Sequence, residues 1–163
     1  MLLNPEELAA FILPIYVANA SPVLFGGGAP LDLGMKFLDG RPILGPHKTF
    51  KGLIAGLALG WTTAAVLSAL LGWEWLGLGF LASAGSQVGD LMGAFIKRRI
   101  GLKAGAPAPL LDQLDFVVGA ALLVHPFWRL SIATVSISLL ITPPIHLATN
   151  WIANKLDLKE VPW

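Results

Sequence analysis

The sequence predicts an all-α, polytopic integral membrane protein with about five transmembrane helices and a polar cavity facing the cytoplasm. Three observations predict it. Of 163 residues, 55% are hydrophobic and only 13% charged, where an ordinary soluble domain has about 25% charged residues. The apolar residues gather into five runs that approach the ~20 residues needed to cross a hydrocarbon core. One of these runs, Leu76 to Ile96, holds a carboxylate, Asp90, well inside it. An acid at that depth costs several kcal/mol unless it meets a partner, a metal or a water-filled cavity.

The first segment is Leu8 to Leu24. It follows Glu6 and Glu7, which stand where a signal peptide would carry Lys or Arg, so the segment is expected to be retained. Asn19 and Ser21 are polar positions near its end, and Ser21 before Pro22 can serve simply to satisfy backbone. Between the first and second segments lies a loop rich in turn formers, Gly26 to Gly52. Its glycines permit close backbone approach to a ligand, and Lys48, Thr49 and Lys51 are candidates for holding phosphates. Gly45-Pro46-His47-Lys48-Thr49 lacks the G-x-x-x-x-G-K-[ST] spacing and the preceding strand of a P-loop, which excludes that motif.

The second segment is Leu53 to Gly72 and the third Leu76 to Ile96. In the third, Gly85, Gly89 and Gly93 recur every four residues, the spacing that lets two membrane helices approach closely. At about 100° per residue, Ser86, Asp90 and Lys97 share a neighbouring stripe. The segment ends in Lys97-Arg98-Arg99. The fourth, Leu110 to Val124, has fifteen residues and falls short of a ~30 Å core, so its acidic start is expected to form a cavity floor. Asp112 and Asp115 are three apart and therefore neighbours on one side of a helix. Oxygen-only ligands from two or three carboxylates suit Mg²⁺, which completes its shell with water and phosphate oxygens. The fifth segment is Leu130 to Ala148. Trp73, Trp75, Trp128 and Trp151 lie at segment ends, as an interfacial aromatic belt would place them.

Several chemistries are excluded. The chain has no cysteine, hence no disulfide framework, thiol nucleophile or thiolate metal site. His47, His125 and His146 show no zinc-ligand spacing, and no G-x-S-x-G motif is present. The net charge of +1 gives no indication of a nucleic-acid partner, but its distribution sets an orientation. Ten of the eleven Lys and Arg residues fall in the loops 25–52 and 97–111 or after the fifth segment, and only Arg129 lies opposite. This bias predicts a multi-pass cell-membrane protein with both loops cytoplasmic and the N-terminus outside.

Gly89 to Phe116, GDLMGAFIKRRIGLKAGAPAPLLDQLDF, resembles the signature of the membrane CTP-dependent cytidylyltransferases, the CDP-diacylglycerol synthases, in which a Gly-Asp-Leu run, a Lys-Arg pair and a Leu-Asp-x-x-Asp follow in this order. GPHKTFKG, Gly45 to Gly52, is similar to that family's upstream Pro-Lys-Lys-Thr-x-Glu-Gly loop. The short length, the Lys-Arg-Arg triplet and LLDQLDF look closest to the archaeal, CDP-archaeol-forming branch. Ala106 to Pro109 stand where bacterial members have Gly-His-Gly-Gly, and Gly93-Ala94 where a serine is usual. The resemblance implies one catalytic domain, 1–163, that transfers a cytidylyl group from CTP to an isoprenoid ether-lipid phosphate, 2,3-di-O-geranylgeranylglyceryl phosphate, with release of pyrophosphate. It implies Asp90, Asp112 and Asp115 as Mg²⁺ ligands. Lys97 is expected to act beside them, and Lys48, Thr49, Lys51, Arg98 and Arg99 with Lys97 to bind the nucleotide.

Three other readings compete. A CDP-diacylglycerol synthase would act on acyl lipids. An ion or solute transporter would favour an inverted repeat with broken helices, and no such symmetry appears. A CDP-alcohol phosphotransferase would carry D-G-x-x-A-R, to which Asp39-Gly40-Arg41-Pro42 is only a partial match. The orientation is open to a direct test, since the chain lacks cysteine. Single variants Leu38→Cys and Ala104→Cys should resist an impermeant thiol reagent in intact cells, whereas Gly72→Cys should be labelled. Labelling of either of the first two would invert the topology.

Overall fold

The computed structural model describes residues 3–159; residues 1–2 and 160–163 of the expected domain lie outside the described ones. The five expected segments are five helices: α1 (Pro5–Phe25), α2 (Phe50–Leu71), α3 (Leu76–Arg99), α4 (Leu111–Val124) and α5 (Ile132–Lys155), with a 3₁₀ turn, Trp73–Trp75, between α2 and α3. Two of them run further than the apolar segments suggest. α3 continues through the basic triplet, and α5 passes through Pro143 and Pro144 to Lys155.

The helix starts have local causes. The Asn4 side chain accepts from the Glu6 and Glu7 amides at 2.9 and 3.3 Å, with Pro5 at the first helical position, where its missing N–H is harmless. Thr49 caps α2 by accepting from Gly52 N at 3.1 Å. Ser131 caps α5 by accepting from Thr134 N at 3.1 Å.

Of the five helices, α1, α2 and α5 are long and apolar enough to cross a membrane on their own. α3 carries the polar groups and α4 has only 14 residues. α3 is the hub, packing most extensively against α4 and also against α1 and α2. The core between α1, α3 and α4 is built from Phe11, Ile15, Leu78, Phe116, Val117 and Val124, all at most 2% exposed.

Small residues set the helix spacing. A Cβ on Gly85 would lie 2.7 Å from the Ala120 Cα, and one on Gly89 would lie 3.0 Å from the Gly119 Cα. The four-residue stripe of α3 therefore seats α4. A second stripe, Gly52, Gly56, Gly60 and Ala64, is buried along α2. A Cβ on Gly60 would meet Ser83 of α3 and Ala18 of α1 at 2.8–2.9 Å.

The α2 stripe also solves a backbone problem. Pro22 has no N–H, which leaves the Ala18 carbonyl without its helical donor. In hydrocarbon that carbonyl must be met internally. The buried Gln87 of α3 donates to it at 2.8 Å, in space that exists because position 56 is glycine: a Cβ there would lie 2.5 Å from the Gln87 amide nitrogen.

Two glycines of α3 should therefore respond oppositely to alanine. Gly89→Ala drives a methyl into α4 backbone and should destabilise the detergent-solubilised protein by about 1–3 kcal/mol or more. Gly77, with nothing within 4 Å of its Cβ position, should be neutral or gain about 0.5–1 kcal/mol. Thermal unfolding of the two variants checks this; equal shifts would refute the close contact.

Candidate active site

The helix ends fall into two sets. At one end Glu7 accepts from Ser131 N at 2.9 Å and Trp75 packs on Trp128 with ring centroids 5.6 Å apart. At the other end meet the end of α1, the start of α2, the end of α3, the start of α4 and the end of α5, with the two loops that carry most of the basic residues. The site lies here.

The first loop is held by its own carboxylates. Asp32, only 4% exposed, accepts from the backbone of Gly45 at 2.8 Å, Leu44 at 2.9 Å and Gly34 at 3.1 Å. Burial alone would raise its pKa, but the Gly45, Leu44 and Gly34 donors together hold it below the ordinary carboxylate value. Leu31 N donates to Lys48 O at 2.7 Å, and Lys48 N to Gly45 O at 3.3 Å. Asp32 thus fixes the turn from which Lys48 projects. The far part of the loop is bolted to the end of α3. Arg99 pairs with Asp39 at 3.0 Å, donates to Pro42 O, and lies 4.8 Å from the centroids of both Phe37 and Phe95. Arg41 returns the contact by donating to the carbonyls of Arg98 and Arg99.

On this frame stand two ion pairs. Lys48 Nζ donates to both carboxylate oxygens of Asp90 at 2.6 Å. Lys97 Nζ donates to those of Asp112 at 2.8 and 3.1 Å, and Asp112 also accepts from Ala108 N at 2.8 Å. Asp115 lies against Gly93, accepts from Phe116 N at 2.7 Å, and feels the charges of Asp90, Lys48 and Asp112. Arg98, 6% exposed, donates to Lys103 O at 3.0 Å, while its buried Nε has no hydrogen-bond partner among the described residues. A small cleft beside the first pair is lined by His47, Lys48, Gln87 and Asp90.

The expected residues therefore divide. Asp90, Asp112 and Asp115 share one end of the α3–α4 pair, with Lys48, Lys97 and Arg98 around them. They do not form a ready metal cage: among the described residues no three His, Cys, Asp or Glu side chains converge on one point, because lysines span two of the carboxylates. Ser86 leaves the Asp90 stripe to donate to Ile15 O of α1 at 3.3 Å, and Ser21 bonds its own helix at Val17 O at 2.5 Å. Thr49, expected on phosphate, is buried with its hydroxyl engaged as the α2 cap. Arg99, also expected there, is turned to the loop and its aromatic rings. Lys51 is exposed on the outer side of α2.

The site also contains residues that periodicity does not reveal. Lys159, beyond α5, is lowered in pKa mainly by burial, with Asp112 opposing and Lys97 and Lys48 adding to the shift. Its carbonyl accepts from the Asn154 side chain at 2.9 Å. Neither Asp32 nor Lys159 sits on an apolar helix face, and only Asp32's position in the turn-rich run Pro30 to Gly34 hints at its role.

Residues 7–163 match the family model described as CarS-like: CDP-archaeol synthase. The chain is 45% identical to a CDP-archaeol synthase of Sulfolobus acidocaldarius, covering 94% of each chain. It is 48% identical to that of Methanococcus aeolicus over 94% of this chain and 93% of that one. Against the protein of the same description from Hyperthermus butylicus it is 47% identical, over 99% and 98%. A solved structure, reported as an intramembrane enzyme for archaeal membrane lipids biosynthesis, superposes with a TM-score of 0.83 at 37% identity, covering 90% of this chain and 94% of that one.

Asp32→Ala should strand three loop amides, two of them bonded to one oxygen, at a cost of about 1–3 kcal/mol for buried groups left unsatisfied. Hydrogen exchange at Gly34, Leu44 and Gly45 should quicken, with Asp32→Asn intermediate. The pH dependence has a defined sign. Because the folded pKa is the lower one, its stabilisation is full above the unfolded value of about 3.9 and is lost as pH falls through the folded value. Exchange at these amides that is equally slow in Asp32→Ala would rule out the lock.

Proposed function

This chain belongs to the CarS-like family of CDP-archaeol synthases, and from that membership we propose how its residues do the work. It is a membrane-embedded, CTP-dependent cytidylyltransferase that forms CDP-archaeol. A phosphate oxygen of the lipid attacks the α-phosphorus of CTP, the α–β phosphoanhydride bond breaks, and pyrophosphate leaves. The lipid is proposed to be 2,3-di-O-geranylgeranylglyceryl phosphate. The observation that carries the reading is the match over residues 7–163, and the acids and cations gathered at one helix end supply the chemistry it needs.

Such a transfer requires positioning and charge neutralisation more than covalent catalysis. No general base is needed, since a phosphate monoester is already anionic near neutrality. The donors fit Mg²⁺ in kind. They are oxygen-only carboxylates, and Asp90 and Asp112 already hold a cationic ammonium between both oxygens. Mg²⁺ seldom has an all-protein cage and takes phosphate and water oxygens for the rest of its shell, which suits a site without three convergent ligands. Asp90, Asp112 and Asp115 are the residues we assign to hold it, and it would supply charge neutralisation on the triphosphate.

In this reading Lys48 and Lys97 keep the carboxylates neutralised before substrate arrives and turn to phosphate when the nucleotide enters. The buried Arg98 Nε is a further donor awaiting an anion. Thr49 acts by fixing the first turn of α2 behind Lys48, and Arg99 by holding the loop in place. The site is proposed to face the cytoplasm, with the N-terminus outside.

Asp90→Asn and Asp115→Asn should each cut turnover of radiolabelled CTP with lipid phosphate to below about a tenth, roughly 1.4 kcal/mol of barrier, while the protein stays folded in detergent. Activity should vanish in EDTA and return with Mg²⁺. Lys97→Ala should lower kcat and raise KM for CTP, as loss of a contact made in both states and strengthened in the transition state would do. CTP turnover that persists in EDTA would remove the metal from the scheme, and unchanged kinetics for Lys97→Ala would remove that lysine.

A further inference from the structure

Lys51 has no charged partner among the described residues. It is the second residue of α2, next to the positive end of the helix dipole, where a cation is disfavoured. Its ammonium makes no hydrogen bond among these residues either. Its Cδ and Cε nevertheless lie beside Gly28, 3.4 Å from the position a Cβ would take there, and the φ of +77° favours glycine. Lys51 lines an otherwise apolar groove together with Phe25, Ile54, Ala55 and Leu59. Ile54 and Phe25 are 65% and 54% exposed, so the groove opens to the side, toward the bilayer.

The two lysines at the start of α2 point to different places. Lys48 projects inward to Asp90, and the inner cleft takes Thr49, Gly52 and Leu53. Lys51, Ile54 and Ala55 line the outer groove. Only the first turn of α2 lies between them. A ligand matched to the outer groove has an anionic head and an apolar body, and a bilayer supplies a lipid phosphate in that orientation.

We propose that the Lys51 groove is the docking subsite of the lipid-phosphate substrate: Lys51 grips the phosphate, and a chain lies along Phe25, Ala55 and Leu59. Lys51 is thereby a lipid-specificity residue and not a nucleotide contact. The inference rests on the cytidylyltransferase reading, and its test is arranged so that the two can fail separately.

The full-length protein in mixed micelles is assayed for CTP turnover while the mole fraction of archaeal lipid phosphate and the concentration of CTP are varied independently. Lys51→Ala should raise KM for the lipid by about tenfold or more, the loss expected for a charge-assisted hydrogen bond, and leave KM for CTP within about twofold. Lys51→Arg should retain most of the lipid affinity. Ala55→Trp, which fills the groove without touching the charge, should raise the lipid KM as well, and less so for a short-chain lipid phosphate. Equilibrium binding of a radiolabelled lipid phosphate without CTP should weaken in both Lys51→Ala and Ala55→Trp, which keeps the test alive if a variant loses turnover. Unchanged lipid KM and lipid binding in both variants would overturn the proposal and leave Lys51 as an interfacial anchor. A raised KM for CTP alone would return Lys51 to the nucleotide. Absence of CTP turnover in the unsubstituted protein would instead refute the underlying reaction.

Discussion

The close approach of α3 and α4 is the interaction on which the site depends. Gly85, Gly89 and Gly93 remove side chains from the facing surface of α3, and α4 settles onto it with Gly119, Ala120 and Asp115 against the glycines. In lipid, where no hydrophobic effect drives helices together, association rests on van der Waals packing, interhelical hydrogen bonds and lipid entropy, and small residues permit the closest packing. The same packing carries Asp115 to the foot of α3 and brings Asp112 within reach of Lys97. Moved apart by a methyl group, the helices would no longer hold the acids around one space.

A second constraint comes from the solvent. Backbone groups in hydrocarbon have no water to turn to, and this chain places prolines inside both α1 and α5. Gln87 answers the carbonyl freed by Pro22, which makes a residue of α3 part of the integrity of α1, next to the cleft that holds Lys48 and Asp90. Gly56 supplies the room. Backbone repair, helix packing and the wall of the site are thus one local arrangement shared by three helices.

Charge is handled differently in the two parts of the basic end of the bundle. Arg41, Arg99, Asp39 and Asp32 are occupied with one another or with backbone, and they make a loop of turns behave as a rigid wall. Lys48 and Lys97 sit instead on half-buried carboxylates whose charges also act on a third acid, Asp115. An ion pair in such a place is costly to desolvate and adds little net stability, so its value lies in keeping a polar cavity folded until an anionic ligand brings its own compensation. That division separates residues that build the site from residues that can change partners.

The sequence by itself determined the helical segments, the membrane class and the gathering of acids and bases at one end. Each of these follows from local runs, from Asp90 to the Gly85–Gly93 stripe, because hydrophobic length, glycine spacing and loop charge are properties of consecutive residues. It also carried the family resemblance in Gly89 to Phe116. Only the tertiary structure decided which cation serves which acid. Thr49 and Arg99, phosphate candidates in the sequence, serve in the structure as a helix cap and a loop bolt, and Lys51 lies exposed beside the outer groove of α2. Long side chains on turns take their direction from whatever packs around them. Asp32 meets Gly45 and Gln87 meets Ala18 across 13 and 69 residues respectively, separations at which helical periodicity holds no information.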